Sequence, residues 1–388
     1  MAIIGIIAEF NPLHSGHKLI IDKAKEGGNT VVCAISGNFV QRGDISVISK
    51  QKRAEMALKC GADIVVEIPV LWSMSTAQNF ALGGVWQLYN LNCEKIIFGS
   101  ECGDIEALSN AADVLLSDQF ATIVSEKVKT GITFAAAREQ AAEELGISGD
   151  ILSSPNDNLG IEYIIAARRL NLPITFDCVK RRGCLHDSKE MDAMFVSSSL
   201  IRQKLIENNF AFAEKFMPIP IRGMINEENT ADISRIERAI LAILRTKTES
   251  DFKKLPDISE GIENKLLFSV RIAPSLEKLY SMIKTKRYTL ARVRRLVLAA
   301  ALDFDGEFFM TTPPYVRILG FSQQGMNALK DIVSIVPVIT KATQVKALED
   351  KRALKVLETE TRATDLYALA FDTPKECGLE FTSKLLKI

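Results

Sequence analysis

The sequence predicts an α/β fold: a doubly wound parallel sheet within residues 1–204, a mainly helical domain over 205–331 and a small C-terminal region over 332–388. Two observations predict it. Up to about residue 200, short β-branched apolar runs alternate with longer stretches of helical periodicity, the pattern of a parallel sheet covered on both faces. Beyond 205 the chain reads almost wholly as helix, with a break at 311–314 where two prolines stand together.

The expected strands are Ile3–Ala8, 30–35, 63–68, 95–98 and 174–179, and the helices between them 17–25, 50–60, 76–91 and 105–115. Ser49 is placed to cap the second helix, and Gly61 to end it. Residues 117–145 read as helix ending at Gly146, then a polar loop over 148–158 carries Pro155 and precedes a helix over 159–170. The tail mixes a short apolar run at 332–339 with basic helical stretches, and no internal repeat is visible.

With 47% hydrophobic and 25% charged residues, the 388-residue chain has the composition of a folded soluble protein rather than a disordered one. Its longest apolar runs, Ile3–Ala8 and 296–302, are far too short to span a bilayer, so no membrane partner is expected. The N-terminal run lacks a basic flank and is closed by Glu9, which reads as a buried strand and not a secretory signal. Seven cysteines without a Cys-x-x-Cys pair point to reduced thiols and a cytoplasmic protein. Basic and acidic residues balance at 48 each, so any nucleic acid must be held by local patches.

The chain holds three histidines, His14, His17 and His186, and the first two follow directly on the first expected strand. Asn11-Pro12 closes that strand in a turn, Gly16 lets a ligand approach the backbone, and His17 opens a helix. A helix N-terminus presents unpaired N–H groups and a positive dipole end, which suit phosphate. Two imidazoles beside it can donate hydrogen bonds to a phosphate that gains charge in a transition state. A histidine can also simply cap a helix or fill a core, but strand, proline turn, His-x-Gly-His and helix together favour chemistry. Zinc is disfavoured, since no third ligand follows at a usual spacing.

Other segments fall beyond the carboxyl ends of strands, where doubly wound sheets bind ligands. Gly37 to Gly43 places Gln41 and Arg42 either at the pocket or on open surface. Gly99, in Phe98-Gly99-Ser100-Glu101, stands where an adenine or ribose would pack against backbone. In Ser154-Pro155-Asn156-Asp157, either Asn156 or Asp157 caps a helix, or the Asn156 amide reads adenine. Arg181 and Arg182 follow the last strand, where guanidinium groups bind phosphates bidentately or line a basic loop. The hydroxyls of Ser197, Ser198 and Ser199 supply N-caps to a helix, in which Arg202, one turn on, would point back toward a triphosphate. The run 284–295 carries six basic residues and no acid around Tyr288, a phosphate-contacting surface or a solvated helix, with Arg317, Lys341 and Lys346 as possible extensions. Walker, GxGxxG and GxSxG motifs are absent, which removes P-loop kinases, ordinary NAD enzymes and serine hydrolases.

Taken together, Phe10-Asn11-Pro12-Leu13-His14-Ser15-Gly16-His17, Ser36 to Gly43, Gly61 to Pro69, Phe98 to Glu101, the Tyr288-Thr289 and Ala291-Arg292 pairs, and Thr364 to Tyr367 carry a resemblance. The chain resembles, nearly end to end, the bacterial tRNA(Met) cytidine acetate ligases, within the HxGH nucleotidyltransferase superfamily. The resemblance implies that ATP activates acetate as acetyl-adenylate, and that the wobble cytidine of elongator tRNA(Met) accepts the acetyl group as 4-acetylcytidine. It implies RNA rather than DNA as partner and an HxGH-type Rossmann domain, with magnesium expected to assist although the sequence shows no dedicated carboxylate cage. His14 and His17 become the catalytic pair. The implied nucleotide site comprises Ile7, Ala8, Glu9, Phe10, Asn11, Pro12, Leu13, His14, Ser15, Gly16, His17, Lys18, Leu19, Ile20, Gly99, Asn156, Arg181 and Arg182. Ser15 stands where Asn is common and Leu13 where Phe is, and Asp157-Asn158 departs from the usual turn. Two other readings use the same motif: a small-molecule adenylyltransferase of cofactor biosynthesis, and a non-catalytic RNA-binding protein.

Overall fold

Alternate side chains of each central strand enter opposite cores, and that alternation organises the molecule. The computed structural model describes residues 1–181, 196–258, 261–285 and 288–388. On β1 (Ile3–Ala8), Ile4 and Ile6 join one core and Ile7 the other. On β2 (Thr30–Ser36), Val31, Cys33 and Ile35 oppose Val32 and Ala34 in the same way. Such strands need apolar residues on both faces, which is why they read as unbroken hydrophobic runs.

A two-stranded hairpin, β3 (Phe39–Val40) and β4 (Asp44–Ile45), follows β2. The main sheet continues with β5 (Ile64–Ile68), β6 (Lys95–Ser100), β7 (Thr175–Lys180), β8 (Val316–Phe321), β9 (Val338–Ile339) and β10 (Leu386–Lys387). Its order is β10-β8-β5-β2-β1-β6-β7, with β9 paired to β8. All neighbours run parallel except β5 and β8. The chain winds outward from β1 through β2 and β5, then returns to the other side of β1 as β6 and β7. A crevice therefore opens where β1 and β6 diverge, the expected ligand position of a doubly wound sheet.

The α/β expectation holds, with two local corrections. The stretch 205–331 is not wholly helical: Val316–Phe321 is a strand of the main sheet, antiparallel to β5. The segment 148–158 is not a loop, because it forms the helix Gly149–Ser153 and the start of Pro155–Arg169, with Pro155 in its first turn where a missing N–H costs nothing. Residues such as Leu205, Phe216 and Ile221 pack in the same core as Leu13 and Ile21, beneath the histidine motif.

A buried ionic cluster binds the late chain to the early sheet. Lys50, fully buried, contacts Glu67 on β5 at 2.5 Å, Glu360 at 3.0 Å and Glu380. Arg317 on β8 contacts Glu67 at 3.3 Å and also Glu380. The expected extension of the basic surface by Arg317 is thus corrected: the residue is buried among acids. Three carboxylates face two cations, and burial beside Glu67 raises the Glu360 carboxyl to about 7. The unfolded chain releases that proton near 4.5, so stability from protonated Glu360 is present at low pH and lost as pH rises to about 7. Glu360→Gln cannot ionise, and its stability deficit against the parent should shrink between pH 5 and 8. Urea midpoints at the two pH values read this, and a constant deficit would contradict it.

Candidate active site

The carboxyl ends of β1 and β2 are tied together by one fully buried guanidinium. Arg53 donates through Nε to the Ile48 carbonyl at 2.9 Å, through Nη1 to the Glu9 carbonyl at 2.5 Å, and through Nη2 to the Gly37 carbonyl. Burial lowers its pKa to about 10, still far above neutrality. Beside it, Asn11 Oδ1 accepts the Val47 N–H at 2.8 Å, and the Asn11 carbonyl accepts from Arg202 Nη1 at 2.8 Å. Phe10, 1% exposed and at φ 48°, turns the chain sharply between the strand and the histidine motif.

The helix Ser15–Lys25 begins with reciprocal caps made by two imidazoles. His14 Nδ1 accepts the Gly16 N–H at 3.1 Å, and His17 Nδ1 accepts the His14 N–H at 3.3 Å. The rings stack with centroids 3.9 Å apart, and Phe10 meets His17 edge-on. Because each Nδ1 is an acceptor, a neutral ring carries its proton on Nε2. Both rings are neutral at pH 7: burial, then Arg181 and Arg202, lower His14 to about 4, and burial, His14 and Arg181 lower His17. His14 Nε2 lies 3.0 Å from Ser198 Oγ, whereas His17 Nε2 has no hydrogen-bond partner among the described residues. Ser15 donates through both Oγ and N–H to the Phe216 carbonyl at 2.9 Å, and Leu13 is fully buried, so both departures from the usual motif serve local packing.

The opposite wall comes from β6 and β7. The Arg181 stem runs over Gly99, where an added Cβ would stand 3.6 Å from Arg181 Cγ and 3.3 Å from Ile20 Cδ1. The Arg181 N–H donates to the Ser100 carbonyl at 2.8 Å. Glu101 accepts the N–H groups of Asn156 and Asp157 at 3.1 and 3.0 Å, capping the helix Pro155–Arg169 from another element, and it also holds the Asn156 side-chain amide nitrogen. Neither Asn156 nor Asp157 caps that helix; Ser154 is its N-cap, and Asp157 turns away to accept the Ser100 hydroxyl and the N–H groups of Glu101 and Cys102. Asn156 thereby keeps its carbonyl oxygen and one amide N–H for a ligand. Arg182 lies outside the described residues, as do His186, Lys286 and Arg287. Lys18 pairs with Asp22 along the helix and Leu19 is exposed.

The HIGH Nucleotidyl Transferase family matches residues 1–380 of this chain. The tRNA(Met) cytidine acetate ligases of Thermoanaerobacter sp. and of Caldanaerobacter subterraneus subsp. tengcongensis are each 36% identical to it, over 100% of both proteins. The chain belongs to the tRNA(Met) cytidine acetate ligase family. The crystal structure of Thermotoga maritima TmcAL bound with alpha-thio ATP superposes with a TM-score of 0.90 at 28% identity, and the apo form with 0.92 at 29%. Both cover 100% of each chain.

In this member of the ligase family, part of the basic run is held by contacts within the protein. Arg292 pairs with Asp257 at 3.0 Å, Arg294 packs over the Tyr280 ring at 5.6 Å, and Arg295 donates to the Gln41 carbonyl at 3.4 Å. The helix Leu290–Ala301 is therefore a support for the loop after β2. Gly43 marks the contact: at φ 72°, a Cβ there would meet the Arg295 backbone nitrogen at 2.5 Å. Residues that sequence reasoning missed are Arg53, whose acceptors are main-chain atoms and leave no sequence signal, and Ser198, read there only as a possible cap.

Arg53→Lys cannot reach all three carbonyls, and each one left unsatisfied should cost about 1–3 kcal/mol in chemical denaturation. A loss within error would show that the guanidinium is not the tie. Unfolded histidines titrate near 6.5 and His14 near 4, so the unfolded chain gains protons first and stability should fall as pH drops through that window. Nitrogen NMR of the imidazoles should show His14 neutral and protonated on Nε2 at about pH 5. A ring titrating near 6.5 would contradict the burial account.

Proposed function

We propose that this protein uses ATP to activate acetate as acetyl-adenylate and transfers the acetyl group to the wobble cytidine of elongator tRNA(Met), forming 4-acetylcytidine. One observation carries the reading: two neutral imidazoles at a helix N-terminus, in the crevice of a doubly wound sheet, with the His17 Nε2–H left free. Full-length relatives named for this activity, and a structural neighbour bound with an ATP analogue, support it.

In this reading an acetate oxygen attacks the α-phosphorus of ATP and pyrophosphate leaves. The amine of the cytidine then attacks the acyl carbon and AMP leaves. No covalent protein intermediate is required, so the protein's task is to align the groups and stabilise charge. His14 and His17 donate through Nε2–H to the α-phosphate as it gains charge, at no cost in proton transfer. Arg181 and Arg202 attract the departing pyrophosphate, while Gly99 and the Asn156 carbonyl receive the nucleoside. Arg182 belongs to this set by resemblance alone.

Among the described residues magnesium finds no free carboxylate cage. Among the described residues the one cluster of three acidic ligands is Glu67, Glu360 and Glu380, and Lys50 already fills it. No described helix is long and apolar enough to cross a membrane. A cytoplasmic location fits the substrates proposed.

His17→Asn separates capping from catalysis, since its side-chain oxygen can still accept the His14 N–H while the Nε2–H is gone. Acetyl-adenylate formation should fall about 10²–10³-fold, the range for loss of one preorganised donor, with the thermal midpoint nearly unchanged. Retained activity would remove His17 from the chemistry. Wild-type protein that leaves a tRNA with a wobble cytidine unacetylated, with ATP and acetate supplied, would remove the proposal.

A further inference from the structure

The hairpin after β2 holds an exposed cation at the edge of the site. The Gly43 N–H returns to the Val40 carbonyl at 3.0 Å, closing a turn with Gln41 and Arg42 at its corners. The Gln41 N–H donates to Glu9 Oε1 at 2.9 Å, and the Gln41 carbonyl accepts from Arg295. The peptide beside Arg42 is thus fixed on one side by β1 and on the other by the helix Leu290–Ala301. Arg42 itself is exposed and has no salt bridge among the described residues.

Two further guanidiniums gather around the hairpin's Asp44. Arg202 and Arg294 both act on that carboxyl, and Arg42 repels Arg202. Arg294, like Arg42, makes no salt bridge among the described residues; it lies over Tyr280, whose hydroxyl is buried without a hydrogen-bond partner. Arg202 is also drawn to Glu9, and Asp232 acts on Asp44, whereas Arg42 and Arg294 make no ion pair among the described residues. Clustered like charges of this kind are a cost unless an anion takes them up.

Sheet order separates Arg42 and its hairpin from the nucleotide wall, and Arg202 acts on both His14 and Asp44. Gly99 on β6 and Arg181 after β7 lie to one side of β1, and the hairpin follows β2 on the other. An acetyl-adenylate bound between the histidines and Gly99 leaves the β2 side for the second substrate. We propose that Arg42 and Arg294 bind backbone phosphates of the RNA acceptor, which approaches the acyl group from that side. The inference rests on the RNA-acceptor reading above. An arginine at an exposed hairpin tip and another on a supporting helix suit contacts that position a polyanion without reading its sequence.

The test compares the full-length parent with Arg42→Gln, Arg294→Gln and Arg42→Lys. Measured are tRNA affinity across a salt series, KM for ATP in acetyl-adenylate formation without tRNA, and 4-acetylcytidine yield. Each glutamine variant should bind tRNA more weakly and flatten the dependence of log Kd on log salt by about one, the loss of one phosphate contact. Arg42→Lys should keep the slope, and KM for ATP should stay at the parent value. Unchanged slopes in both glutamine variants overturn the inference. So does a rise in KM for ATP that matches the loss of tRNA affinity, since the arginines would then serve the nucleotide. A parent that makes no 4-acetylcytidine, with slopes that still flatten as expected, removes the acetate-ligase reading and leaves the RNA face standing.

Discussion

The arrangement of the site depends on Arg53, a buried cation whose hydrogen-bond partners are all main-chain oxygens. A buried guanidinium is costly unless its donors are satisfied, and here the acceptors are the carbonyls at which β1 and β2 end. Strand ends in a parallel sheet normally spend those carbonyls on water or on loops of many conformations. Arg53 gives them a single partner. The turn through Phe10 and Asn11 then starts from a fixed point, and the helix that follows inherits its direction.

The second dependence is electrostatic. His14 and His17 act as caps through Nδ1, and capping selects the tautomer that presents Nε2–H. Arg181 and Arg202 help keep the rings uncharged, so the same cations that attract phosphate also preserve neutral donors. Structure and proposed chemistry therefore draw on one set of interactions. The Glu101 carboxylate plays the corresponding part opposite, ordering Asn156 while capping its helix.

Much of this was legible from local pattern. The five central strands and the histidine motif follow from apolar runs and a turn, both short-range signals. β8 was not legible, because Val316–Phe321 carries a charge in its interior and lies between a pair of prolines and helical periodicity. Its arginine makes sense only beside Glu67 and Glu380, which are remote in sequence. The partners of the run 284–295 were hidden for the same reason: the acid that pairs Arg292 stands at Asp257, and the ring under Arg294 at Tyr280. Asn156 was found, but its half-occupied amide depends on Glu101, a partner remote in sequence on the same wall. Linear proximity reveals motifs and conceals long-range compensation.

The antiparallel seam between β5 and β8 has a consequence for biosynthesis. As the chain emerges from N- to C-terminus, β1, β2 and β5 are available long before Val316–Phe321 is made. Through that interval β5 is an open edge with unpaired N–H and carbonyl groups, and Glu67 on it lacks both Arg317 and the Lys50 environment that Glu360 and Glu380 complete. A charge in the middle of an exposed strand discourages the edge from recruiting another nascent chain. Glu67 thus sets a charge on that edge while the polypeptide is unfinished, and becomes the keystone of a buried cluster once it is complete.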